Sequence, residues 1–236
     1  MKLSTLIALT ASLLFSAAPL AAQEKSVNPG INDSFRDPDP QTFTERFEVE
    51  SREVFAKRKE IVRQLGLQSG MVIADVGAGT GLFTREFAAG LGKDGRVIAV
   101  DISENFLKHI QLTCRERGLL NVDTLLCSDD STKLPEQSVD VVFICDTYHH
   151  FEFPGKTMAS VKRALKPGGR LYVIDFHRIE GRTREWTMNH VRAGQEVFEA
   201  EICAEGFRRV REVEGVLVEN YMLVFEHGNS ENREQK

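Results

Sequence analysis

The stretch Asp75-Val76-Gly77-Ala78-Gly79-Thr80-Gly81 decides the fold. It follows the apolar run Met71-Val72-Ile73-Ala74 and precedes an amphipathic segment over 82–91, so it reads as strand, glycine turn and helix. Glycines at such a turn let the chain bend sharply and let a ligand approach the backbone with no Cβ in the way. The spacing is GxGxG. Leu82 stands where the dinucleotide fingerprint wants its third glycine, and no Gly-Lys-Ser/Thr follows, which excludes a P-loop. Asp75 adds a carboxylate beside the turn, where a phosphate would be repelled.

Outward from this loop the alternation continues. Strands are expected over 71–76, 96–100, 122–127, 139–145 and 171–176, with helices over 82–91, 104–117 and 154–165. The run Val139-Asp140-Val141-Val142-Phe143-Ile144-Cys145 is almost continuously apolar, as for a strand covered on both faces. The pattern predicts a doubly wound α/β domain. One or two helices within 184–205 precede two final runs, 209–214 and 220–226, whose short connection suits an antiparallel hairpin. Ahead of the loop, Phe43, Phe47, Val54, Ile61 and Leu65 recur at helical spacing, which predicts one helix over 42–65 ended by Gly66. Residues 23–41, with Asn28-Pro29-Gly30 and Asp37-Pro38-Asp39-Pro40, read as an extended lead-in, and 228–236 as a disordered tail.

Two further acidic loops belong to the same sheet edge. Asp101 ends the second strand, where a carboxylate accepts hydrogen bonds from both hydroxyls of a ribose, and Asp129-Asp130 follows the third. Three acidic loops around a glycine turn suit a cationic adenosine ligand better than a pyrophosphate.

The run DVGAGTG, Asp101, the turn Ser128-Asp129-Asp130 ahead of Leu134-Pro135, and LKPGGRL over 165–171 resemble, in order, the motif series of the class I, Rossmann-like methyltransferases. The motif spacing is most like that of the quinone-biosynthesis, small-molecule type, and the resemblance covers about 61–176. It implies S-adenosylmethionine as cofactor and a domain over 42–227. The implied sheet is mostly parallel and seven-stranded, of order 3-2-1-4-5-7-6, with the last strand antiparallel. Also implied is a cofactor site in which Asp75, Gly77, Ala78, Gly79, Thr80 and Gly81 hold the methionine part and Asp101 and Ile102 the ribose. Asp129 or Asp130 would hold the adenine amine, and Asp146 would join the cofactor side.

The loop Asp146-Thr147-Tyr148-His149-His150 leaves the fourth strand at this edge. His149 and His150 are the candidate catalytic residues, because a neutral imidazole can take the acceptor's proton, with Tyr148 to orient it; the alternative is that one histidine packs inward, bonded to backbone, while the other is solvated. In-line positioning is nonetheless the main requirement of methyl transfer. A divalent metal would draw on Asp146 or His149 with Asp175 or His177, but the Asp-Asn pair of catechol-type relatives is missing and no metal is assigned. Cys114, Cys127, Cys145 and Cys203 lie singly, without zinc-ligand spacing. Arg46 and its helix are expected over the cofactor mouth. His177, Arg178 and the segment 186–195, with His190 and Arg192, read either as a basic lid or as a solvated amphipathic helix with Trp186 and Val191 packed inward.

The chain has 236 residues and a net charge of −5, which bounds it to one domain and disfavours any phosphate-tracking surface. No nucleic-acid partner is expected. Residues 1–22 hold one charge, Lys2, then an apolar run and the small-residue end Leu20-Ala21-Ala22, the pattern of a secretory signal peptide. Its cleavage would take the charge from −5 to −6 through loss of Lys2. The mature chain is then expected in an exported compartment, the bacterial periplasm, without stable membrane insertion. The expected partner is a small-molecule methyl acceptor. A protein methyltransferase, including a carboxyl methyltransferase, and a non-catalytic adenosine-ligand-binding module are the alternatives. The acceptor's identity, the methylated atom and the oligomeric state are not encoded in any motif.

Overall fold

The computed structural model describes residues 25–227, so the expected leader over 1–22 and the expected tail over 228–236 lie outside the described residues. The glycine loop joins β1 (Val72–Val76) to α5 (Leu82–Leu91), after four short helices: α1 (Asp33–Arg36), α2 (Pro40–Phe47), α3 (Glu53–Ala56) and α4 (Arg58–Gln64). There follow β2 (Arg96–Asp101), α6 (Glu104–Glu116), β3 (Val122–Leu126), β4 (Val139–Cys145), α7 (Pro154–Ala164) and β5 (Leu165–Phe176). The chain ends with α8 (Glu185–His190), α9 (Gln195–Ala204), β6 (Phe207–Glu212) and β7 (Asn220–His227).

The seven strands form one sheet of order β3-β2-β1-β4-β5-β7-β6. The first five are mutually parallel, and β7 runs antiparallel to both β5 and β6. This is the fold of the class I methyltransferases, in the order the sequence motifs implied. Both faces of the sheet are dry because both sets of alternating side chains are apolar. Ile73, Val97, Val141 and Phe143 pack under α4 and α5, while Ala74, Val142, Ile144 and Val173 pack under α7 and α9. Since the strand order reverses between β1 and β4, the loops after β1, β2, β3 and β4 open into one crevice at the carboxyl edge.

Expectation and structure differ in two regions, the N-terminal segment and β5. A single helix over 42–65 is instead α2, α3 and α4, and it starts earlier, at Pro40. The start has a local cause: Asp39 caps α2 by accepting from the Gln41 and Thr42 N–H groups, with Pro40 at the first helical position. The break has a tertiary one. No glycine or proline interrupts 48–52, but Glu48 turns toward the glycine loop and Arg52 toward Asp146. The Glu53 carboxylate accepts three backbone N–H groups, from Val218, Glu219 and Asn220, at 2.6, 2.9 and 3.0 Å. Those contacts outweigh the small per-residue gain of continuing the helix. The lead-in over 23–41 is likewise not all extended, since it contains α1 and the first turn of α2.

The second difference lies in β5, which begins at Leu165 rather than at 171. Leu165 pairs with Val139, the next partners are Arg170 and Val141, and the Lys166-Pro167-Gly168-Gly169 turn is looped out between them. The turn chemistry read from the sequence is thus present, as a bulge inside a longer strand.

Candidate active site

The glycine loop forms the floor of a cavity of about 1080 Å³, counting its open mouth. Gly77 and Ala78 both donate to the Val100 carbonyl, at 2.8 and 3.1 Å, so the turn is tied to the end of β2. There Asp101 is buried, and its two carboxylate oxygens accept the Gly79 and Ser103 N–H groups, each at 2.9 Å. Burial pushes the Asp101 carboxyl up to about 6 despite those bonds. Asp75, at the end of β1, is also buried and accepts the Thr84 hydroxyl at 2.6 Å; burial, with Asp101 nearby, pushes it up to about 7.

Of the expected cofactor residues, Asp75, Gly77, Ala78, Gly79, Thr80, Asp101, Ile102 and Asp129 line this cavity. Gly81 does not; it serves as the left-handed cap of α5, at φ 81°. The Asp129 or Asp130 alternative is separated by geometry. Asp129 lines the cavity, while Asp130 accepts from the Ser128 hydroxyl at 3.0 Å and lies 3.7 Å from the Lys156 ammonium. Asp146 is off the wall as well, its carboxylate held by Arg52 and by the Asn220 amide, both at 2.6 Å.

The residues after β4 diverge, because they form one turn of 3-10 helix over Tyr148–His150. Three residues per turn send successive side chains about 120° apart. Tyr148 points into the core, fully buried between Phe151 and Phe198, with its hydroxyl on Glu201 at 3.2 Å; orienting a base at the cavity is therefore not its place. His149 is buried against Asp175, with Nδ1 2.8 Å from Oδ1, and is off the cavity wall. His150 alone of the three faces the cavity, and burial pushes its imidazole down to about 2, so it is neutral at ordinary pH.

The roof holds residues that the sequence reading did not assign to the site. Asn32, Phe35, Phe47, Arg52 and Val54 line the cavity from above. Arg46 does not; its guanidinium sits 5.5 Å over the Phe43 ring. Below the roof, Arg85 is buried and donates to the Thr80 carbonyl at 2.7 Å and to Glu48, which also accepts the Thr80 hydroxyl at 2.8 Å. Arg36 holds Asp129 at 3.0 Å. The advance signals for the roof were the N-terminal helix expected over the cofactor mouth and its apolar stripe, from which Phe47 and Val54 do line the cavity, whereas Asn32, Phe35 and Arg52 had none.

The residues read as a basic lid are committed elsewhere. Arg192 donates to both Glu201 oxygens, at 2.8 and 2.6 Å, Arg178 donates to the Met188 carbonyl, and the His177 ring packs against Tyr221. Of the metal set read as Asp146 or His149 with Asp175 or His177, His149 and Asp175 stand 2.8 Å apart, while Asp146 is engaged by Arg52 and Asn220 and His177 packs against Tyr221.

A family model described as a methyltransferase domain matches residues 74–173. The chain is similar to the ubiquinone/menaquinone biosynthesis C-methyltransferase UbiE of Hydrogenovibrio crunogenus, at 29% identity over 52% of this chain and 48% of that protein. It is similar also to the protein of the same name from a Marinomonas species, at 30% identity over 52% and 49%. The chain thus spans about half the length of the curated relatives it matches. Among solved structures, a SAM dependent methyltransferase from Aquifex aeolicus superposes with a TM-score of 0.70 at 26% identity, covering 80% of this chain and 98% of that one.

Proposed function

The chain belongs to the class I, Rossmann-like methyltransferases, whose donor is S-adenosylmethionine, and from that premise we propose that it transfers the donor's methyl group to a small-molecule acceptor in an exported compartment. The observation that carries the reading is the gathering of Asp75, Asp101 and Asp129 with the glycine loop in one roofed cavity. Asp75 and Asp101, once ionised, oppose an anion at the glycine loop and attract a sulfonium, while Asp129 is already paired with Arg36.

The donor supplies an electrophilic methyl carried on positively charged sulfur. The loop over 77–80 gives its methionine part a wall of backbone, open because a side chain at Gly77 would collide with Thr147 before any ligand arrived. Asp101 keeps acceptor capacity on both oxygens for a pair of ribose hydroxyls, and Asp129 lies at the adenine end. As the acceptor's lone pair takes the methyl carbon, the carbon–sulfur bond breaks and its electrons stay on sulfur. His150 is suited to this step as a neutral ring: it accepts a hydrogen bond from the acceptor's O–H or N–H and puts no positive charge beside the sulfonium. Phe35, Phe47, Phe106 and Phe151 give the wall an aromatic face within a roofed cavity, which favours a compact acceptor with an apolar ring over a protein side chain. The relatives are named for C-methylation in ubiquinone/menaquinone biosynthesis, which is small-molecule chemistry.

Donor binding is expected to expel protons. Asp75 and Asp101 titrate from about 7 and about 6 in the empty protein, well above their ordinary 3.8, and a cation requires them ionised. Affinity should therefore rise from pH 5 to pH 8 and then level off. The sign for stability is opposite: as raised carboxyls, the two favour the empty fold fully below about pH 4 and lose that contribution as pH rises through 6 and 7. Calorimetry at pH 6.5 in two buffers of different ionisation heat measures the released protons; observed heats that are the same in both buffers would remove these two carboxylates from the site.

The function is tested by incubating the purified chain with methyl-labelled donor and an extract of its host. Label should enter a fraction below protein size, with equimolar demethylated donor. Label in protein alone, or no turnover, rejects the small-molecule reading. For the compartment, residues 1–30 fused to a reporter active only outside the cytoplasm should give signal; a silent fusion returns the enzyme to the cytoplasm.

A further inference from the structure

Three imidazoles converge beside the cavity, and His150 is the one that also lines it. One nitrogen each of His149, His150 and His190 lies within 4.8 Å of the other two. Two of these residues come from the turn after β4 and the third from the last turn of α8. Asp175, fully buried near the end of β5, receives the His149 backbone N–H at 3.1 Å and meets Nδ1 at 2.8 Å. That pins the ring and leaves its Nε2 available. A carboxylate behind the far nitrogen is how metal-ligating histidines are usually oriented.

His150 and His190 bring their Nε2 atoms to 3.3 Å. With metal–nitrogen bonds of about 2.0–2.1 Å, the edge of a tetrahedral zinc site is also about 3.3 Å. The His149 nitrogen lies within 4.8 Å of both, an upper bound roughly 1.5 Å above that edge, and His150 and His190, both only partly buried, are the rings that can shift toward the pinned His149. The other nitrogen of His150, Nδ1, is buried with no hydrogen-bond partner among the described residues. Trp186 stacks on the His190 ring, with centroids 4.6 Å apart and planes at 21°.

We propose that His149, His150 and His190 bind one divalent transition-metal ion of the zinc type, with a fourth position left for water or a heteroatom of the acceptor. Three imidazoles without a carboxylate ligand select zinc, cobalt, nickel or copper over magnesium and calcium. The site is distinct from the acidic set at Asp146, and because it shares His150 with the cavity it adjoins the acceptor end. With a metal on its Nε2, His150 would hold the ion instead of accepting from the acceptor, but the readout, metal content, is separate from that of methyl transfer.

Untagged full-length protein, stripped with a chelator, is titrated with zinc chloride. Trp186 is the chain's one tryptophan, so its fluorescence reports on the His190 ring directly. One zinc per chain should survive desalting, cobalt should give the visible bands of a tetrahedral site, and magnesium chloride should change nothing. His190→Ala should weaken zinc binding at least about 100-fold at a near-normal melting temperature, as should His150→Gln, while His177→Ala binds as the parent does. Wild-type protein that retains no zinc, or a His190→Ala protein that retains it undiminished, overturns the proposal.

Discussion

Replacing Gly77 by alanine is expected to abolish measurable donor binding, with a loss of at least about 100-fold, and to lower the melting temperature by about 10 °C. Two costs combine. Gly77 has φ +74°, where an alanine is strained by about 1–2 kcal/mol. The added Cβ would also lie 2.2 Å from Thr147 Cγ2, 2.5 Å from Oγ1 and 2.8 Å from Cβ, so no rotation of Thr147 makes room. Overpacking of this kind costs about 1–3 kcal/mol. The loop must then move away from β4, and Asp75 and Gly79 move with it. Differential scanning fluorimetry and donor titration measure the two effects separately. The double variant Gly77→Ala/Thr147→Gly removes the collision but not the backbone strain, so it should regain part of the melting temperature. A Gly77→Ala protein that binds donor within threefold of the parent would show that the loop does not approach the ligand.

The same loop explains why so much of the fold was legible. Its flanking strand and helix are encoded by contiguous residues, and the central strands are unbroken apolar runs that only a covered parallel sheet can bury. Asp75, Asp101 and Asp129 stand at strand ends, and the switch point brings strand ends together whatever the loops do. The N-terminal roof lacked such a signal. Residues 48–52 have ordinary helix propensity, and what breaks the helix is Glu48 reaching Arg85 and Arg52 reaching Asp146, partners 37 and 94 positions away.

The divergence of Tyr148, His149 and His150 was hidden for a different reason. Adjacent letters suggest adjacent roles, yet a single 3-10 turn sends one side chain to the core, one to Asp175 and one to the cavity. His190, 40 positions further on, meets His150 only because α8 folds back over the edge after β5. No local pattern encodes that meeting.

Asp101→Asn should separate binding from folding more cleanly than any other substitution in the site. The carboxylate makes two backbone hydrogen bonds and is proposed to add two from the ribose, and bonds to a charged acceptor contribute about 1.5–3 kcal/mol each. Losing about 3 kcal/mol of them weakens the donor and its demethylated product about 150-fold. The fold responds differently. At neutral pH the empty protein holds Asp101 ionised against the penalty of burial, and the neutral amide escapes that penalty. It keeps one acceptor for the Gly79 or Ser103 N–H and leaves the other to solvent or a small shift, so the melting temperature should stay within a few degrees. The proton release on donor binding should fall to the share left by Asp75. Isothermal titration and thermal melting on the same preparation read all three quantities. Unchanged affinity together with unchanged proton release would mean that Asp101 tethers the loop and never meets a ribose.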